Sequence, residues 1–143
     1  MAKLLLVSHG DLCTGAQSAL KMFAGDTLDV SAVSLGHDGV DPFRTRLRAE
    51  VASTTDEVLI AADLAGGTPC NEATVLGLAE PQRIRIVAGM NLPLLVECAV
   101  ALMTGDSLDA AIEKGVAAGQ AGVCPIDLAT NPDDEPINED DLF

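Results

Sequence analysis

Residues 3–10, Lys-Leu-Leu-Leu-Val-Ser-His-Gly, decide the fold of this 143-residue chain. A run of aliphatic residues that ends in a polar turn is typical of a buried strand in a parallel sheet. In open α/β sheets, ligands and reacting groups lie in the loops at the carboxyl ends of the strands. His9 occupies such a position, and imidazole titrates near neutral pH, so His9 is a candidate nucleophile or proton carrier. The alternative is a polar residue that only closes the strand.

Strand-like and helix-like segments alternate along the rest of the chain. Further strands are predicted at 28–35, 57–62 and 83–88, with a short final strand at 122–128 that Pro125 limits to an edge. Helices are predicted between them, with N-caps at Thr14, Asp41, Thr68 and Ser107 and with Pro93 starting the fourth helix. This order predicts an α/β fold with a doubly wound, mostly parallel four-stranded sheet flanked by helices.

Composition and charge limit the domain organisation and the classes of partner that the chain is expected to have. Hydrophobic residues make up 48% of the chain, without Trp or Tyr, which predicts an aliphatic core in one domain over residues 1–128. Six of the fourteen net negative charges lie in the last thirteen residues, so residues 129–143 are expected to form an acidic, mobile tail. An acidic body without a basic patch argues against nucleic acid and favours a partner with a positive docking face. Arg44, Arg46 and Arg48 are expected to form a solvated helix surface.

Several classes of protein lack support in the sequence. The cysteines at 13, 70, 98 and 124 are too far apart for a zinc site or a disulfide framework, and reduced thiols are expected. Neither a signal-peptide core nor a stretch of roughly 18 apolar residues is present, which predicts a soluble, cytoplasmic protein without membrane insertion. The glycine-rich patterns of dinucleotide and P-loop sites and the Gly-x-Ser-x-Gly motif of hydrolases are absent as well.

Three polar loops, 8–13, 63–68 and 89–92, each follow a predicted strand and are expected to converge at one edge of the sheet. A histidine that accepts a phosphoryl group needs a free ring nitrogen and a carboxylate that orients the other nitrogen. His9 and Asp63 are candidates for these catalytic roles. Gly66, Gly67 and Thr68 are candidates for phosphoryl binding at a helix start, and Asn91 is a candidate supporting residue. Each element alone also has a simpler explanation as a cap or a turn.

Three motifs resemble the enzyme IIA component of the mannose class of the bacterial phosphoenolpyruvate-dependent sugar phosphotransferase system (PTS). Ser8-His9-Gly10 resembles the phosphorylated-histidine motif of that family. Residues 63–73 resemble its Asp-x-x-Gly-Gly-Ser/Thr-Pro-Phe-Asn-x-Ala block, and residues 88–97 resemble its Gly-Val-Asn-Leu-Pro-Met-Leu-x-Glu block. The likeness extends over about residues 1–128. Cys70 and Met90 replace the usual Phe and Val.

The resemblance implies that His9 takes a phosphoryl group from the carrier HPr and passes it to a histidine of a separate enzyme IIB, for sugar uptake. It implies that Asp63 holds the histidine and that Thr68 lies near the phosphoryl group, with no cofactor or metal. It also implies a homodimer that exchanges a final antiparallel strand, an expectation that Pro125 weakens.

Two alternatives stay open at this point. One is the related phosphotransfer subunit of a dihydroxyacetone kinase system, which shares the fold and a histidine acceptor. Gly10 and the block around Asn91 favour the sugar transporter component instead. The other alternative is a regulatory module that binds partners according to its phosphorylation state and passes nothing on. Transfer to an enzyme IIB separates these possibilities.

Overall fold

A computed structural model describes residues 1–129 of the chain. The strands are β1 (Lys3–His9), β2 (Val30–Leu35), β3 (Val58–Ala62) and β4 (Ile84–Ala88). The helices are α1 (Leu12–Ala24), α2 (Val40–Ala52), α3 (Thr68–Ala79), α4 (Leu92–Met103) and α5 (Leu108–Ala121). The predicted alternation of strands and helices is confirmed, and the strand boundaries differ from the predicted ones by one or two residues.

The four strands form one sheet in the order β2-β1-β3-β4, and every pairing is parallel. Val7 of β1 pairs with Val33 on one side and with Ala62 on the other. The predicted α/β class and the doubly wound arrangement are therefore confirmed. Since β1 is central, its carboxyl end lies between the ends of β2 and β3, and His9 is placed at the middle of that edge.

Two apolar clusters cover the two faces of the sheet, as expected for alternating side chains of buried strands. Leu4 and Leu6 of β1 pack in one cluster with residues of α1, α4 and α5. Leu5 and Val7 pack in the other cluster with residues of α2 and α3. Apart from Phe43, the buried side chains of both clusters are aliphatic or cysteine, as the composition predicts.

Some predicted helix starts are wrong. The Thr14–Gln17 capping box does not form, because α1 already begins at Leu12 and the Gln17 side chain donates instead to the carbonyl of Val30. Asp41 lies inside α2, whose N-cap is Gly39. Thr68 is the first residue of α3 and Gly67 is its N-cap. The cap at Ser107 is confirmed, since its hydroxyl accepts from the amide of Ala110.

The final strand predicted at 122–128 is not formed within the described part of the chain. Helix α5 continues to Ala121, and the segment that follows pairs with no strand of the sheet. A strand requires a neighbour for its backbone groups, and Pro125 has no amide to donate. Val123, Ile126 and Leu128 are therefore left exposed. The acidic tail expected from residue 129 lies, beyond that residue, outside the described residues.

The prediction of a solvated arginine surface is right for Arg46 and Arg48, which are exposed, and wrong for Arg44, which is half-buried against α3. Arg44 of α2 makes two hydrogen bonds of 2.9 and 2.8 Å to the carboxylate of Glu72 in α3. Arg46 bonds to Asp38 and to the carbonyl of Ser34, so it ties α2 to β2 and to the loop after it. These partners come from other elements, which helical periodicity alone does not show.

Candidate functional site

His9 is held at the carboxyl end of β1 by a single oxygen of Asp63. The Oδ2 atom accepts from the backbone amide of His9 at 2.9 Å and lies 2.9 Å from the ring atom Nδ1. The Asp63 side chain is 9% exposed and that of His9 is 48% exposed. The carboxylate is thus buried behind the ring, while the ring itself reaches solvent.

The contact with Asp63 determines which ring nitrogen of His9 carries the hydrogen. A carboxylate only accepts, so Nδ1 carries the proton and donates it to Asp63, and the lone pair of the neutral ring lies on Nε2. Nε2 faces the turn before α3, because a Cβ added at Gly67 would lie 2.8 Å from Cε1 and 3.5 Å from Nε2. The nitrogen that carries the lone pair is therefore directed at the loop that the sequence predicts to bind a phosphoryl group.

Asp63 is ionised in this arrangement. Burial alone would raise the pKa of its carboxyl, but the hydrogen bonds from the amide and the ring of His9 hold that pKa below its ordinary value. Its second oxygen, Oδ1, is buried and has no hydrogen-bond partner within residues 1–129. The carboxylate consequently directs its bonding toward His9 alone among the described residues.

The Gly66–Thr68 turn supplies the start of α3. Gly66 has φ +80°, which glycine adopts without strain, and its carbonyl accepts from the Asn71 side chain at 3.1 Å. The amide of Gly67 donates to the carbonyl of Leu64 and is not free for a ligand. The open donors are instead the first-turn amides of Thr68 and Cys70, which have no intrahelical acceptor.

Gly67 and Thr68 therefore contribute to the site in different ways, although the sequence predicts phosphoryl binding for both. Gly67 leaves room for the histidine ring because it has no side chain. The half-buried Thr68 hydroxyl makes no hydrogen bond within residues 1–129 and is free to donate. Partial positive charge at a helix N-terminus favours anions. The α3 start beside Nε2 therefore suits a phosphoryl group.

Asn91 serves as a structural residue in this conformation. Its Oδ1 caps α4 by accepting from the amide of Leu94 at 3.1 Å, and its Nδ2 donates to the carbonyl of Gly119 at 2.9 Å. Both polar groups of the side chain are thus engaged between α4 and α5, and neither contacts His9. No group of three or more His, Cys, Asp or Glu side chains in residues 1–129 is arranged to hold a metal ion.

Two residues that hold the site were missed in the sequence. Asn71 fixes the Gly66 carbonyl, as described above. Ser8 is fully buried, and its hydroxyl donates to the carbonyl of Gly10 and accepts from the amide of Cys13. A serine placed five residues before a helical amide is not a usual capping pattern, so only the three-dimensional turn shows this role.

The surface around His9 is partly apolar and carries charges of both signs. Leu12 and Leu64 are each 58% exposed, and each lies in a loop or helix start that follows a strand end. Asp11 is exposed on the same edge of the sheet, where the exposed Asp38 and Asp41 are ion-paired with Arg46 and Arg44. Exposed leucines beside a reactive group are typical of a surface that binds another macromolecule.

On the predicted role of His9 as a phosphoryl acceptor, Gly67→Ala is expected to slow its phosphorylation by about tenfold, because the new methyl group would displace the ring from its alignment. The backbone of Gly67, at φ −75° and ψ 161°, accommodates alanine, so the effect is steric at the ring. Gly15→Ala is the matched control, since a Cβ there meets no atom within 4 Å. Initial rates of labelling with a phosphoryl donor compare the variants, and equal rates for both would contradict this geometry.

The structure is thus a parallel α/β sheet with an exposed histidine, held by a buried carboxylate, at the end of its central strand. The family model described as "PTS system fructose IIA component" matches residues 3–116. The sorbose-specific EIIA component of Klebsiella pneumoniae is 33% identical over 99 residues, which cover 68% of this chain and 72% of that protein. The fructose-specific EIIA component of Bacillus subtilis is 30% identical over 100 residues and covers 68% of each chain.

Solved structures agree with these matches. The mannose/sorbose-specific IIA subunit from Enterococcus faecalis superposes with a TM-score of 0.81 at 33% identity, covering 91% of this chain and 98% of that one. The chain belongs to the PTS enzyme IIA family of the mannose class and is a component of a sugar phosphotransferase system. None of the helices within residues 1–129 is long and apolar enough to cross a membrane.

Proposed function

We propose that this chain accepts a phosphoryl group from phospho-HPr on Nε2 of His9 and passes it to a histidine of an enzyme IIB. The observation that carries the proposal is the bond of 2.9 Å between Nδ1 of His9 and Asp63, which leaves the Nε2 lone pair free beside the start of α3. Membership of the enzyme IIA family supports a phosphotransfer role, and the motif match of His9 and Asp63 supports these residues as its centre.

The proposed step is an exchange of one nitrogen–phosphorus bond for another. The Nε2 lone pair of His9 attacks the phosphorus of the donor phosphohistidine, and the donor bond breaks with its electron pair returning to the donor ring, which leaves as a neutral imidazole. The His9 ring becomes cationic with its Nδ1 proton in place, and the adjacent Asp63 carboxylate stabilises that positive charge. In the transfer to enzyme IIB, His9 is the donor: the histidine of enzyme IIB attacks the phosphorus, and the His9 ring leaves as a neutral imidazole.

The groups around Nε2 suit this reaction. Phosphoryl transfer depends chiefly on alignment and on stabilisation of charge over the three oxygens. The open amides of Thr68 and Cys70 and the Thr68 hydroxyl are donors at the positive end of α3. The exposed leucines 12 and 64 and the exposed carboxylate of Asp11 would contact the carrier proteins, and this favours partners that present an apolar face with a basic residue beside it.

The decisive experiment is a stepwise relay with purified components. The chain is incubated with phosphoenolpyruvate, enzyme I and HPr, and acid-labile phosphate on His9 is measured by intact-mass spectrometry and peptide mapping. Candidate enzyme IIB is then added, and phosphate is expected to leave His9 and appear on the IIB histidine. Labelling without onward transfer to any IIB would favour the regulatory module, and transfer to a nucleotide-bound kinase subunit would favour the dihydroxyacetone kinase system.

We also propose that the chain is a homodimer. The exposed apolar side chains of Val123, Ile126 and Leu128 support this proposal, because a segment with this composition gains stability when a second copy covers it. Sedimentation velocity at micromolar concentration tests it, and a monomer under those conditions would contradict it.

A further inference from the structure

Ser8 is one of the two buried polar or charged residues within residues 1–129, the other being Lys3. Its hydroxyl donates to the carbonyl of Gly10 at 3.0 Å and accepts from the amide of Cys13 at 2.8 Å. The two bonds close a bridge over the turn that follows His9. They therefore fix the chain on both sides of the reactive residue.

The bridge lies on the opposite face of the sheet from the histidine ring. Side chains alternate along β1, so Ser8 lies on the face of Leu6, toward α1, and His9 lies on the face of Val7, toward α3. Because the Gly10 carbonyl bonds to Ser8, its oxygen is turned toward the α1 face. That partial negative charge is thereby kept away from the side on which Nε2 meets a phosphoryl group.

Ser8 also performs the capping that the nominal N-cap does not. Asp11 precedes α1, but its side chain makes no capping hydrogen bond. The Cys13 amide, in the first turn of α1, is bonded to Ser8 instead. The left-handed conformation of Gly10, with φ +55°, and its amide bond to the Leu35 carbonyl complete the turn. A side chain buried behind β1 thus links the position of His9 to that of α1.

We propose that Ser8 is a positioning residue for phosphoryl transfer, which aligns Nε2 of His9 and holds the Gly10 carbonyl off the phosphoryl side through its bridge to Cys13. The proposal rests on the proposed phosphorylation of His9. It assigns to the serine hydroxyl a role in reactivity that goes beyond support of the fold.

The test uses the full chain with two donors. Phosphoramidate phosphorylates imidazole without a protein partner, since Nε2 attacks phosphorus and ammonia leaves with the electrons of the broken P–N bond. Phospho-HPr gives kcat and KM separately. Ser8→Ala is expected to lower the rate with phosphoramidate and the kcat with phospho-HPr by about tenfold, with KM for phospho-HPr unchanged. Ser8→Thr, which restores a hydroxyl, is expected to recover most of the rate.

Ser31→Ala is the matched control, because Ser31 is a half-buried serine of the neighbouring strand whose hydroxyl makes no hydrogen bond within residues 1–129. All rates are measured well below the thermal unfolding midpoint of each variant. Imidazole ¹⁵N shifts report whether His9 keeps its proton on Nδ1, and we expect Ser8→Ala to broaden or shift them. A purely structural role would lower the unfolding midpoint and leave rates and shifts unchanged.

The outcomes separate this proposal from the function on which it rests. If the natural chain and Ser31→Ala take up phosphate while Ser8→Ala matches them within twofold, the positioning role is wrong and the proposed function stands. If Ser8→Ala does not fold, Ser8→Cys, which keeps a weaker donor and acceptor of similar size, must show an intermediate rate; an unchanged rate overturns the role. If the natural chain takes up no phosphate from either donor, the proposed function itself fails.

Discussion

His9→Ala is expected to reduce acid-labile phosphorylation by phospho-HPr to background, a loss of about 10³-fold or more. The imidazole supplies the only lone pair that the proposed step uses, and alanine offers no replacement. The fold should survive the change. The bond from residue 9 to Asp63 Oδ2 includes the backbone amide, which alanine retains, and the ring itself is largely outside the two apolar clusters.

The second histidine of the chain provides the control. His37 lies in the exposed turn after β2, outside the network of Asp63, and His37→Ala is expected to take up phosphate at the natural rate. Intact-mass spectrometry after incubation with phosphoenolpyruvate, enzyme I and HPr measures both variants, and circular dichroism verifies their folding. Phosphate on His9→Ala at the natural stoichiometry would show that another residue is the acceptor.

The parts of the fold that local sequence determines could be predicted. The aliphatic runs of β1 and β3 show strands buried on both faces, and their alternation with helical periods leads to a parallel sheet. Helix starts were less predictable, because a cap depends on which side chain the turn brings close. Thr14 has the right residue type for a cap, yet the Cys13 amide is bonded by Ser8 from the preceding strand.

The candidate site, like the fold, could be predicted from the sequence only in part. Strand-end position brought His9 and Asp63 together correctly, since parallel neighbours β1 and β3 end at one edge. The occupied amide of Gly67 and the structural bonds of Asn91 could not be foreseen, because they depend on contacts with Leu64 and Gly119 that no periodicity encodes. The outcome for the strand predicted at 122–128 could not be foreseen either, because a strand needs a backbone partner and its own residues do not show whether one is present.

Asp63→Asn is expected to slow phosphorylation of His9 by about 10²- to 10³-fold while leaving the chain folded. The amide oxygen can still accept from the backbone amide of His9, so the loop remains attached. A neutral amide cannot stabilise the positive charge that develops on the ring, however. An amide flipped to offer its NH₂ group to Nδ1 would stabilise the tautomer with the proton on Nε2, the wrong nitrogen for attack, but it would give up the bond from the backbone amide of His9, because both bonds use the single oxygen Oδ2.

The pH dependence of stability gives this prediction a second measurement. The pKa of the Asp63 carboxyl is lowered in the folded chain, so its stabilising contribution is present above the ordinary carboxyl value of about 3.9 and is lost as the pH falls through the lowered value. The natural chain and Asp63→Asn should therefore differ in free energy of unfolding at pH 6–7, and the difference should begin to shrink only below about pH 4, as the pH falls toward the lowered pKa of Asp63.

Asp26→Asn is the matched control for both measurements, because Asp26 is exposed in the turn after α1 and its side chain makes no hydrogen bond or ion pair within residues 1–129. Single-turnover labelling at about pH 7 and urea unfolding between about pH 2 and 7, a range that extends below the ordinary carboxyl pKa, compare the three chains. If Asp63→Asn labels as fast as Asp26→Asn, the carboxylate does not act on the ring. A slow variant whose His9 keeps its proton on Nδ1 would instead assign the loss to charge alone, because the tautomer would then be correct and only the stabilisation of the cationic ring would be missing.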